Sequence, residues 1–131
     1  MEQHDITEKA DVIRLVNAFY EQVRRNDRLR PIFEDVAQVD WPVHLPKMYA
    51  FWSSLLLGEH DYTGNPMQVH VALSRITPLT AEDFAEWLAL FTRTVDELFA
   101  GPTAEQAKAR GGHIARLMLH KIENRLATSQ A

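Results

Sequence analysis

The chain has 131 residues, enough for one domain with one core, and its net charge of −4 disfavours a general nucleic-acid binder or an anionic-membrane binder. With 46% hydrophobic and 24% charged residues the composition is that of a folded protein, and the absence of cysteine excludes disulfides, thiolate metal sites and thiol nucleophiles. The amino terminus carries acid where a secretory signal needs cations, and no apolar run approaches the roughly 20 residues that cross a bilayer, so a soluble, cytoplasmic, single domain over 1–131 is expected.

A first helix opens at Asp5 or Thr7, with Glu8 placed for a capping box, and carries Val12, Ile13, Val16, Phe19, Tyr20 and Val23 on one stripe. Arg24, Arg25, Arg28 and Arg30 follow; cations suit a helix end facing solvent, with an anion site as the alternative. Leu29 to Phe33 reads as a short helical turn. Asp40 then caps a second long helix with Pro42 in its first turn and a buried side of Trp41, Leu45, Met48, Trp52, Leu55 and Leu56. Pro46 removes a backbone hydrogen bond and crowds the carbonyl of residue 42, which predicts an irregular entry. Gly58 to Gly64 reads as a loop, and Asn65-Pro66 opens a short helix with Met67, His70, Val71 and Leu73.

Thr80 with Asp83 starts a further helix, in which Phe84, Trp87, Leu88, Phe91, Val95, Leu98 and Phe99 keep the i, i+3, i+4, i+7 rhythm. Gly101-Pro102 ends it. Thr103 with Gln106 offers a capping box for a last amphipathic segment through Ala107, Ile114, Leu117, Met118 and Leu126, interrupted by Gly111-Gly112, where close backbone packing or a bend is expected. Strand-like alternation is missing. The fold class is all-α, with three or four long helices, short ones between them and one core.

Metalloprotease, di-iron, dinucleotide and phosphate-loop signatures are all missing, which leaves the histidines. His4 lies in the amino-terminal segment and His60 in a loop. His113 and His120 stand two helical turns apart, roughly 10 Å along the axis and too far to share one metal. His70 has apolar Met67 at i−3 and Leu73 at i+3; its spacing alone allows a hydrogen-bonded core imidazole or an axial iron ligand. His44, with Asp40 at i−4 and Lys47 at i+3, fits a surface ion pair or a polar group at the mouth of a pocket. Tyr20 and Trp87 are either packing residues with polar tips or walls around a flat apolar cofactor.

The stretch Trp41-Pro42-Val43-His44-Leu45-Pro46-Lys47-Met48-Tyr49-Ala50-Phe51-Trp52-Ser53-Ser54-Leu55-Leu56-Leu57-Gly58, followed by Tyr62-Thr63-Gly64-Asn65-Pro66-Met67 and His70, resembles the group III truncated haemoglobins. Phe19-Tyr20 before Pro31-Ile32-Phe33, and Trp87-Leu88 through Leu90-Phe91-Thr92 to Phe99, extend the similarity over nearly the whole chain. The resemblance implies a shortened globin fold in which two antiparallel helix pairs sandwich a haem b (iron protoporphyrin IX). It implies His70 as the proximal iron ligand and Tyr20, His44 and Trp87 as the distal residues. Phe33 and Phe51 match aromatic contacts to the porphyrin, Met48 a pocket wall and Lys47 a cation near the propionates.

The implied function is binding of a diatomic gas (O2, NO, CO), with oxygen and nitric oxide redox chemistry as its use and peroxidase-like chemistry as the alternative. No flavin or nicotinamide motif occurs, so an external reductase is the expected partner of a monomeric protein. From a different class, a cofactor-free helical interaction module would leave the histidines structural. Two departures from the family pattern stand out: Pro46, two residues beyond His44, and Gly111-Gly112 in the last helix.

Overall fold

The computed structural model describes residues 3–36, 40–58 and 80–130, with side chains except at 35, 36 and 121–130. The order is α1 (Lys9–Arg25), a wide π-type turn (Pro31–Val36), α2 (Trp41–Leu57), α3 (Ala81–Leu98) and α4 (Pro102–Gln130). No strand occurs among the described residues, in keeping with the all-α expectation. The tightest association is between α3 and α4; α1 lies against both α2 and α3, and α2 touches α4 lightly. No described helix is long and apolar enough to cross a membrane.

The helices form where their patterns and ends agree. In α1 the buried side is Val12, Leu15, Val16, Phe19, Tyr20 and Val23, at helical spacing, and Asp11 reaches back to accept from the N–H groups of Thr7 (3.0 Å) and Glu8 (3.3 Å). At α3 the capping box forms as its spacing predicts: Asp83 N–H donates to Thr80 Oγ1 (3.2 Å) and Thr80 N–H to Asp83 Oδ2 (3.0 Å). The start of α3 is tied to the end of α1 through Arg28–Asp83 (3.1 Å) and Asn26–Glu86 (2.9 Å).

Two expectations change, at Pro46 and Leu117, and one of two alternatives holds at the paired glycines. Pro46 leaves α2 unbroken from Trp41 to Leu57; Pro42 and Pro46 are both exposed, so the carbonyl that loses its partner lies on the solvent side. Gly111 and Gly112 do not interrupt α4 and are buried within it, in keeping with the close packing expected of them. Leu117, expected on the inner stripe, is exposed, while Ala104, Ala107, Ala115 and Met118 are buried.

The capping of α4 also differs from expectation. The helix begins at Pro102, and its free N–H groups at Thr103 (2.9 Å) and Ala104 (2.8 Å) are taken by Asp5 from the amino-terminal segment. Gly101, at φ +145°, makes the approach feasible, because a Cβ there would meet the Asp5 carboxyl at 2.5 Å. Burial on its own raises the pKa of Asp5, but N–H donors from Thr103, Ala104 and Ile6 and the Thr103 hydroxyl outweigh it and hold the carboxyl below its ordinary 3.8. The depressed folded value means that this stabilisation is complete above the unfolded pKa and is lost as pH falls through the folded one. Asp5→Ala is expected to cost about 1 kcal/mol at neutral pH in urea unfolding, with the difference from the parent protein vanishing at acid pH.

Candidate functional site

The site grows from the inner face of α1. Tyr20 sits at the end of the apolar stripe, and the first turn of α2 brings Trp41 and His44, three residues apart and so on one face, against it. The ring centroids lie 5.5 Å (Trp41) and 5.2 Å (His44) from Tyr20, the latter edge to face at 85°. The π-type turn delivers Phe33, which stacks on Trp41 at 6.1 Å and 19° and stands 6.0 Å from Tyr20. Tyr20 is buried, and burial pushes its phenol well above the ordinary tyrosine range, so it keeps its proton. Its hydroxyl makes no hydrogen bond among the described residues. His44 is half-buried, with Nε2 turned into the interior.

A second wall comes from α3. Trp87 is half-buried; its ring meets Phe19 edge to face (5.5 Å, 88°) and lies parallel to Phe91 (5.6 Å, 5°). Phe19 also touches Tyr20 (5.0 Å), so the two polar-tipped aromatics predicted from sequence flank one buried phenylalanine. Further along α2, Met48 and Phe51 are half-buried against the core and Lys47 is exposed. His70 and the short helix and loop read around it lie outside the described residues.

A surface cleft of about 420 Å³ reaches Tyr20 from outside, between α1 and the start of α2, with Arg24, Arg30, Glu34, Trp41 and Leu45 among its walls. Arg24 lies 5.1 Å over the Trp41 ring and pairs with Glu34 (3.0 Å). The arginine run is exposed, as its sequence suggests, with Arg25 paired to Glu21 (2.7 Å) and Arg28 to Asp83. Trp41 is the site residue that periodicity left as mere packing; an aromatic three residues before a histidine was the available signal. Ser53, fully buried with its hydroxyl unpartnered among the described residues, had no signal in the sequence.

Residues 4–123 match the family model of the bacterial-like globins. A group 3 truncated haemoglobin of Campylobacter jejuni is 35% identical over 91 residues, covering 67% of this chain and 69% of that protein. The crystal structure of a group III truncated haemoglobin from Campylobacter jejuni superposes with a TM-score of 0.80 at 28% identity, over 92% of this chain and 95% of that one. With family model, sequence and backbone in agreement, the chain belongs to the bacterial-like globin family, with group III truncated haemoglobins as its homologues.

Proposed function

We propose that the chain holds a b-type haem through His70 and binds a diatomic gas, dioxygen or nitric oxide, beside Tyr20, His44 and Trp87. Family membership implies the haem cofactor and diatomic ligand binding. The assignment to these residues is carried by the Tyr20 hydroxyl, which makes no hydrogen bond among the described residues, belongs to a ring set among Phe33, Trp41 and His44, and lines the cleft that opens to the outside. A phenol O–H with no protein acceptor is free to donate to a ligand that enters beside it.

Helix α2 fits a flat apolar group as well. Lys47 is its one charged residue, yet only Trp52 and Ser53 are fully buried, while Leu45, Met48, Phe51 and Leu55 stay half-buried. In this reading Phe33, Met48 and Phe51 line the porphyrin and exposed Lys47 meets its propionates.

Haem supplies, when bound, an iron with affinity for small gases. The chain's own groups then decide how firmly the gas is kept. Tyr20, protonated because it is buried, donates its O–H; Trp87 can only donate, through its indole N–H; His44 carries two ring nitrogens, of which at least one is a donor. Each such bond holds a polar ligand by about 1–3 kcal/mol and must break before the ligand leaves, which favours slow release over carriage. Reducing equivalents come from a separate protein, since the sequence carries no flavin or nicotinamide motif.

Reconstitution with haemin is expected to give a Soret band whose position and intensity change in His70→Ala; no band, or one with unchanged axial ligation in the variant, contradicts the reading. Tyr20→Phe is expected to speed oxygen dissociation by roughly tenfold in stopped-flow experiments, and an unchanged rate transfers the donor role to Trp87 or His44. Comparison of nitric oxide with peroxide turnover separates dioxygenase from peroxidase use, and turnover of neither leaves binding alone.

A further inference from the structure

Gly111 has no place in the pocket, yet it lies directly against Phe91 of the aromatic cluster. A Cβ built at Gly111 would fall 2.9 Å from Phe91 Cδ2 and 3.0 Å from Cε2, nearer than real Cβ contacts come, and the obstacle is a ring in the core, not the end of a flexible side chain. Phe91 is 1% exposed and confined on several sides: Trp52 stacks on it at 4.8 Å and 20°, Phe19 meets it at 5.2 Å and 89°, and Trp87 lies parallel to it. Trp52 and Phe19 are themselves buried, whereas Trp87 is half-buried. Of the three rings around Phe91, Trp87 therefore has the most room to yield when Phe91 is pushed.

We infer that Gly111 is a positioning residue for Trp87: its missing side chain lets Phe91 occupy the one place from which it holds the indole parallel to it at the wall of the pocket. This rests on the reading of Trp87 as a donor to the bound gas. The neighbouring Gly112 provides the contrast within the same turn of helix. A Cβ there meets only Arg116 Nη1 at 3.4 Å, Arg116 Nη2 at 4.0 Å and Leu88 Cδ2 at 3.9 Å, contacts that a long exposed arginine relieves by rotating.

The experiment compares Gly111→Ala, Gly112→Ala and the double variant Gly111→Ala/Phe91→Leu, which makes room for the added methyl. Near-ultraviolet circular dichroism of the haem-free and haem-loaded proteins reads the tryptophan environment, and oxygen dissociation and the carbonyl stretch of the carbon monoxide complex read the donor. Gly111→Ala is expected to change the tryptophan bands in both forms, to shift the carbonyl stretch and to raise the oxygen off-rate roughly fivefold, while Gly112→Ala matches the parent protein. If Gly111→Ala fails to fold, the double variant tests the same point, with tryptophan bands and off-rate displaced because the ring that positions Trp87 is gone. Parent-like bands and rates in a folded Gly111→Ala, or equal changes in Gly112→Ala, overturn the inference. Trp87→Phe separates the two levels: an unchanged off-rate there removes the donor reading and this role with it, whereas a raised off-rate beside a parent-like Gly111→Ala removes only the role of Gly111.

Discussion

Phe19 is where the architecture and the pocket meet. It is almost fully buried, and it carries edge-to-face contacts to Tyr20 on its own helix and to Trp87 and Phe91 on α3. Such contacts depend on direction as well as on area, because the electron-rich face of one ring attracts the positive edge of another. The crossing of α1 over α3 is thereby coupled to the attitude of the two polar-tipped rings. Around this point Trp52 from α2 joins through Phe91, so three helices contribute to one aromatic lattice. The lattice holds because each ring is stopped by another.

Charge plays a smaller part. The ion pairs among the described residues sit at or near the surface, where desolvation is incomplete and solvent screening leaves each worth about 0–1 kcal/mol. Their placement is more informative than their strength: Arg24–Glu34 and Arg28–Asp83 fasten the end of α1 to the π-type turn and to the start of α3. The first of them lines the cleft that reaches Tyr20. Burial of apolar surface stabilises the fold, and the surface pairs select how its elements begin and end.

Much of this was legible in the sequence. Helices α1 and α3 combine a clean 3.6-residue stripe with local end signals, so period and caps agree before any tertiary contact is considered. The partners of Tyr20 were harder to read, because His44 and Trp41 reach it only once α2 crosses α1, and spacing within α2 says nothing about that crossing. Pro46 misled for a related reason: a proline within a helix is unfavourable locally, but its cost depends on whether the orphaned carbonyl faces protein or water. Gly111 and Gly112 look identical in the sequence and differ in the fold solely through what lies opposite each of them. Local chemistry thus specified the elements, and long-range packing specified the site.

The bond from Asp5 to the first turn of α4 joins residues 98 and 99 positions apart. During synthesis Asp5 must wait until α1, α2 and α3 have all been made before its partners exist. Closing so long a loop is entropically costly, and little is gained until α1, α3 and α4 are already close together. The clasp therefore belongs among the last contacts to form and acts as a seal on a finished bundle.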